Sequence, residues 1–374
     1  MHRIYLDANA TTPLDPRVRD LVVQWLDAGN ASSPHAEGRA AREAIDRARD
    51  QVATLIGAHA RDIVFTSGAT EANALALVGS VRARDIKQVF CSAVEHASVL
   101  QTLSALQPAV QLVVGAVDEF GRLPANAPLP AGDLGLVSLM LANNENGAIQ
   151  PVREIAARAH ERGALVHCDA VQACGKMRVD VTDLDVDLLT MSAHKMNGPK
   201  GVGALYARRK AVPHPLFFGG EHERGLRAGT ENVAAIAGFG LAAELARQEL
   251  DARRELWARL RDRFLRDLRA VLPDVVVHSP DDGLPNTLSL TFADVEGEAV
   301  LLGLDLQGIA VSTGSACSTG AAGPSHVLIA MGLSPEQAER SIRVSMHAST
   351  AEEDVVTCVQ KLARVVKDLR ALQV

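Results

Sequence analysis

The 374-residue sequence predicts an α/β protein: a large three-layer lobe on a mainly parallel sheet, joined to a smaller α+β lobe. Two observations carry that expectation. From about residue 60 to 210, short runs that are apolar on both faces alternate with helical patterns, and after about residue 230 the pattern changes. The length also exceeds the size at which one hydrophobic core keeps growing, so two lobes are expected.

The strand-like runs are "DIVFTSG", "QVFCSA", "QLVVGAV", "LGLVSLMLA", "ALVHCDA", "DLLTMSA" and "GVGALYA". Between them, "ATEANALALVGSVRA" and "PVREIAARAHERG" have helical periodicity, the second with proline in its first turn and glycine at its end. A helical region then runs to about Val271, with Trp257, Leu260, Phe264, Leu268 and Val271 spaced as a core-facing stripe. Arginines on that stretch alternate with acids, which reads as a solvated face. Strand-like "TLSLTFADV", helical "PSHVLIAMGL", strand-like "SIRVSMHAS" and an amphipathic closing helix complete the chain. The expected division is residues 16–230 for the large lobe, and 1–15 with 231–374 for the small one.

A net charge of -7 argues against a nucleic-acid surface. No stretch has the length of a membrane span, and the N-terminus, "MHRIYLDANATTPLDP", lacks a signal-like apolar core, so a cytoplasmic protein is expected. The five cysteines, Cys91, Cys168, Cys174, Cys317 and Cys358, are widely separated, which indicates neither a disulfide framework nor a zinc site. Four lie in apolar surroundings and read as small buried hydrophobes. Cys317 differs: "STGSACSTG" offers it no apolar pocket, whereas an exposed thiol can react.

Open α/β sheets bind ligands beyond the carboxyl ends of their strands, so the polar residues after each run are the candidates. "FTSGATEAN" offers a helix N-terminus to an anion, although Ser or Thr there also serves as a plain cap. "HCDAVQACGK" delivers Asp169, with Gln172 three residues on; the aspartate also fits a cap over the next helix. "SAHKMNGPKG" delivers Ser192, His194 and a lysine able to form a Schiff base, and spacing does not choose Lys195 over Lys200. Together, an anion cradle, a carboxylate and an amine are what pyridoxal 5'-phosphate requires, and His96 of "AVEHASV" is a candidate to cover its ring.

With "YLDANATTPLD", "FTSGATEAN", "EHASV", "NNENGAIQP", "HCDAVQACGK", "SAHKMNGPKG", "GGEHERGLRAGTEN", "STGSACSTG" and "SIRVS" in order, the chain resembles the cysteine desulfurases, in their NifS/IscS-like group. The resemblance implies the fold type I architecture of pyridoxal-phosphate enzymes, a homodimer, and conversion of L-cysteine to L-alanine with sulfur passed to an iron–sulfur scaffold or another acceptor protein. It assigns the Schiff-base lysine to Lys195. It implies that Ala69, Thr70, Ser192 and His194 hold the phosphate, with Thr230 reaching it from the partner subunit. Asp169 would pair with the ring nitrogen and Gln172 with the phenolic oxygen, while His96 would stack on the ring and move protons. Asn144 would sit beside cofactor and substrate, and Arg343 would clamp the substrate carboxylate.

By the same resemblance, Cys317 attacks the substrate sulfur and becomes a persulfide. No intrinsic metal is expected, and Cys317 would at most be a transient cluster ligand shared with a scaffold. The competing readings are another fold type I enzyme, such as an aminotransferase, a selenocysteine lyase or a β-lyase, and a non-catalytic relative kept as a binding subunit. Two departures stand out: the chain stops at Val374, short of the scaffold-docking tail of many relatives, and His347 occupies a position where a small residue is more usual.

Overall fold

In a computed structural model, which describes residues 3–313 and 323–372, strand β1 (Ile4–Tyr5) leads into α1 (Pro16–Gln24) and α2 (Ala36–Leu55). The large lobe continues with β2 (Ile63–Thr66), α3 (Ala69–Arg84), β3 (Gln88–Ser92), α4 (Ala97–Ala105), β4 (Gln111–Gly115) and β5 (Leu136–Ser138). It is completed by α5 (Val152–His160), β6 (Leu165–Asp169), β7 (Leu188–Ser192) and β8 (Gly203–Ala207). Then come α6 (Val233–Gln248), α7 (Leu250–Val271), β9 (Val276–Val277), β10 (Thr287–Thr291), α8 (Gly297–Leu306), β11 (Ile309–Ala310) and β12 (Ser312–Thr313). The chain closes with α9 (His326–Ala330), α10 (Pro335–Glu339), β13 (Ser341–Ser345) and α11 (Glu352–Ala371).

The seven expected runs form one sheet in the order β2-β8-β7-β6-β5-β3-β4. Only β8 is reversed, antiparallel to β2 and β7, while the other pairings are parallel. Alternate residues of each strand enter different cores: Val137, Val166 and Leu189 pack with α2, α5 and α6, whereas Leu136, Leu165 and Leu188 pack with α3 and α4. Covering on both faces is why these strands lack polar alternation. Six parallel carboxyl ends therefore lie along one sheet edge, where the loops after β2, β3, β5, β6 and β7 gather.

A second core joins α7, α8 and α11 to the four-stranded sheet β12-β13-β10-β9 and to the parallel pair β1-β11. Ile4 and Leu6 belong to this core, so the N-terminus packs with the small lobe. The long helical region is two helices meeting at Glu249, and the buried face of α6 belongs to the first core, against α1 and α2. Within α7 the stripe Trp257, Leu260, Phe264 and Leu268 is buried, but Val271 in the last turn stays 41% exposed. Pro151 caps α5 from outside its first turn instead of opening it. Among the described residues, no helix is long and apolar enough to cross a membrane.

Candidate active site

A cavity of about 550 Å³ opens over that sheet edge, lined by Ala69, Thr70, His96, Asn144, Asp169, Gln172, Ser192, His194 and Lys195. Nine of the sequence candidates thus meet in one space of ligand size. Lys200 lines it too, as do Ala10 and Thr11 from the N-terminal segment.

The anion end is built by α3. No side chain caps this 16-residue helix, so the positive end of its dipole and its first-turn N–H groups face the cavity beside Thr70. His194, in the 3-10 turn that follows β7, has Nδ1 3.1 Å from Thr11 Oγ1. Burial first, then the charges of Lys195, Lys200 and Lys176, push its imidazole down to about 4, so at neutral pH it is uncharged. A neutral ring among ammonium groups next to an open helix terminus suits a phosphate.

Lys195 Nζ donates to the carbonyls of Asn9 at 2.6 Å and Ala10 at 2.7 Å. Asp169, which ends β6, is 4% exposed. Its Oδ2 accepts from Asn73 Nδ2 at 2.9 Å and its Oδ1 from the Val171 N–H at 3.1 Å. No ion pair to it is found among the described residues. A buried carboxylate with no ion-pair partner among the described residues is incomplete, and a protonated pyridine nitrogen would complete it. Gln172 donates to the Asn9 carbonyl at 3.0 Å and accepts from Lys176 Nζ. Burial, with Lys195 and Arg343 nearby, holds the Lys176 ammonium well below its ordinary value. These residues fit pyridoxal phosphate: a carboxylate, an amine and an anion cradle meet in one space.

His96 caps α4 with its own ring. Its Nδ1 accepts from the Ser98 N–H at 3.1 Å and lies 2.8 Å from Ser98 Oγ. Arg343, on β13, is fully buried and does not line the cavity. Its guanidinium donates to Asp7 Oδ1 at 2.8 Å and to the carbonyl of Asn144, a cavity residue, at 3.1 Å. Thr230 is exposed on the loop before α6 and stands apart from the lining residues. That loop is held to the cavity rim by Arg227 Nε, 2.9 Å from Glu71 Oε1 in the first turn of α3.

Cys317 lies outside the described residues. The chain before it is pinned where β12 pairs Ser312 with Arg343. After it, Ser325 at the N-cap of α9 donates to Glu145 Oε2, and His326 Nε2 lies 3.0 Å from the Glu95 carbonyl. Those partners adjoin Asn144 and His96. The other four cysteines are free and buried, and burial pushes the thiols of Cys174 and Cys358 up to about 12.

Sequence reasoning passed over Asn9, Asn73, Ser98 and Lys176. Asn9 is a hub: its carbonyl accepts from Lys195 and Gln172, its Oδ1 from Lys176 at 2.9 Å, and its Nδ2 donates to the Asn144 carbonyl at 3.0 Å. The available signal was "ANATTPLD", a polar segment too short for any element. Asn73 lies one helical turn beyond Ala69 and is fully buried, the kind of polar position that needs a partner.

The family model described as Aminotransferase class-V matches residues 4–357. A protein called Cysteine desulfurase IscS, from Dictyoglomus turgidum (strain DSM 6724 / Z-1310), is 43% identical over 99% of this chain and 96% of its own length. Putative cysteine desulfurase IscS 1 of Bacillus subtilis (strain 168) is 42% identical over 99% of this chain and 100% of its own. Among solved structures, a NifS-like protein superposes with a TM-score of 0.91 at 34% identity, covering 98% of this chain and 100% of that one.

Proposed function

The chain belongs to the class-V aminotransferase family and is a pyridoxal-phosphate-dependent cysteine desulfurase, and we propose the following roles for its residues. The observation that carries the assignment is the meeting, in one cavity, of the uncapped α3 terminus, the buried Asp169 and the Lys195 amine. Ala69, Thr70, Ser192 and His194 hold the phosphate. Asp169 keeps the ring nitrogen protonated, Gln172 donates toward the phenolic oxygen, and His96 covers the ring. Bound there, the cofactor supplies an electron sink for the α-carbon of L-cysteine. Lys195 anchors it, and its freed Nζ takes the Cα proton and later returns one. Arg343 orients the substrate carboxylate beside Asn144.

The Cys317 thiolate attacks the substrate sulfur: an S–S bond forms, the Cβ–S bond breaks, and its electron pair stays with the carbon skeleton, which leaves as L-alanine after protonation. The persulfide on Cys317 then passes to an acceptor protein, such as an iron–sulfur scaffold. The enzyme works as a cytoplasmic homodimer, with Thr230 of each exposed loop reaching the partner's phosphate site. Its cofactor lobe extends through α6, and the small lobe carries the cysteine segment.

Replacing Cys317 by Ser tests the assignment. Persulfide and alanine formation should collapse while the absorbance of the lysine-bound cofactor remains. Replacing Lys195 by Ala should remove that absorbance. A Cys317→Ser protein that keeps full alanine production would transfer the reading to a lyase that needs no cysteine.

A further inference from the structure

We propose that Ser98 and Asn73 are positioning residues that lock His96 in its Nε2–H tautomer, making the ring a fixed hydrogen-bond donor toward the cavity and not a carrier of protons. This departs from the proton-moving role that the resemblance implies for His96. It rests on the desulfurase reading only in taking the cavity as the site of reaction.

The donor directions follow from chemistry. The backbone N–H of Ser98 can only donate, and it points at His96 Nδ1 from 3.1 Å, so Nδ1 must present a lone pair. Ser98 Oγ, 2.8 Å from the same nitrogen, must then donate as well. That hydroxyl's acceptor side is taken by Asn73 Nδ2 at 2.9 Å. The second N–H of the same amide goes to Asp169 Oδ2 at 2.9 Å. Rotating the Asn73 amide by half a turn would set oxygen against the Asp169 carboxyl oxygen and leave Ser98 Oγ without its donor. One consistent chain therefore runs from Asp169 through Asn73 and Ser98 to His96.

Protonating Nδ1 would turn two donors against it, and the remaining nitrogen already carries hydrogen. Nε2–H is the group left for the cavity that His96 lines. Desolvation, with Lys195 and His326 nearby, also disfavours the imidazolium, and only Asp169 opposes this. Lys195 is left as the proton carrier at the α-carbon.

The test is the histidine nitrogen spectrum of the pyridoxal-phosphate-loaded protein, labelled with 15N-histidine at neutral pH and read without turnover. A His96→Gln variant assigns the signal. The expected result is one protonated nitrogen, Nε2, and a bare Nδ1. Ser98→Ala should move Nδ1 toward a protonated or mixed state, and Ser98→Thr, which keeps the hydroxyl, should restore the wild-type pattern. Should Ser98→Ala fail to fold, the wild-type spectrum still decides. A protonated Nδ1, an imidazolium, or a Ser98→Ala spectrum identical to wild type would overturn the proposal, and none of these would touch the desulfurase assignment.

Discussion

Arg343 reaches across from the small lobe's sheet to Asp7, the residue that bridges to β13 at Ser345, and donates to its carboxylate at 2.8 Å with the guanidinium almost fully buried. The same guanidinium holds the Asn144 carbonyl of the large lobe. A guanidinium fixed this way has little freedom left to lose on binding a carboxylate.

The first prediction follows from that fixation. A charge-assisted hydrogen bond contributes about 1.5–3 kcal/mol, so Arg343→Lys, which keeps the charge but loses the paired donors, should raise KM for L-cysteine about tenfold or more. Asp7→Asn should raise it less. Alanine production at varied L-cysteine concentration separates KM from kcat, and an unchanged KM in Arg343→Lys would remove Arg343 from the substrate site.

The α3 terminus predicts a cofactor phenotype. Thr70→Ala deletes one hydroxyl from the anion cradle but leaves the helix dipole and backbone N–H groups. Loss of a hydrogen bond to a charged group should weaken pyridoxal-phosphate binding about tenfold or more. Absorbance titration of the cofactor-free protein reads this directly, and unchanged affinity would move the phosphate elsewhere.

Glu95 predicts a pH effect on stability. Its Oε1 accepts from Ser92 Oγ at 2.6 Å and the Met140 N–H at 2.9 Å, while Oε2 is buried with no hydrogen-bond partner among the described residues. Burial raises its carboxyl from 4.5 to about 8. The folded protein therefore holds a proton that the unfolded chain releases, and stability contributed by this group falls as pH rises from about 4.5 to about 8. Glu95→Gln keeps the acceptor and removes the ionisation. Urea unfolding across that range should show a flatter pH dependence in the variant, and parallel curves would refute the assignment.

The loop that carries Thr230 predicts a fourth kind of defect. Glu223 receives Arg49 through two 2.6 Å bonds and the Phe65 N–H at 2.9 Å, all buried, while Arg49 also stacks on the Phe65 ring. Glu223 sits at φ 50° and Arg224 at φ 59°, left-handed backbone that these contacts must hold. Removing one partner of a buried pair costs about 3–5 kcal/mol. Glu223→Ala should therefore lower stability by that amount in urea unfolding and loosen cofactor retention, and a loss below about 1 kcal/mol would show the pair to be incidental.

The sequence made the strands visible because burial on both faces writes itself as unbroken apolar runs, and their carboxyl ends then marked Asp169, Ser192 and Lys195. Direction is not written in such runs, so the reversal of β8 was not legible. Nor was the break at Glu249, since the apolar spacing continues from α6 into α7 while the two helices serve different cores. Asn9 escaped notice because its partners lie up to 336 positions away. His347 gains an account only in three dimensions: its ring sits 6.1 Å from that of Tyr5, and its Nδ1 accepts from the Ser349 N–H at 3.3 Å.

The central claim is that sulfur from L-cysteine moves to Cys317. The most direct measurement incubates the cofactor-loaded protein with L-cysteine, traps thiols and persulfides by alkylation, and maps the peptides by mass spectrometry. The account predicts a persulfide on the Cys317 peptide, formed in step with L-alanine, and none on Cys91, Cys168, Cys174 or Cys358. A persulfide confined to another cysteine, or alanine formed at the full rate with Cys317 unmodified, would contradict it.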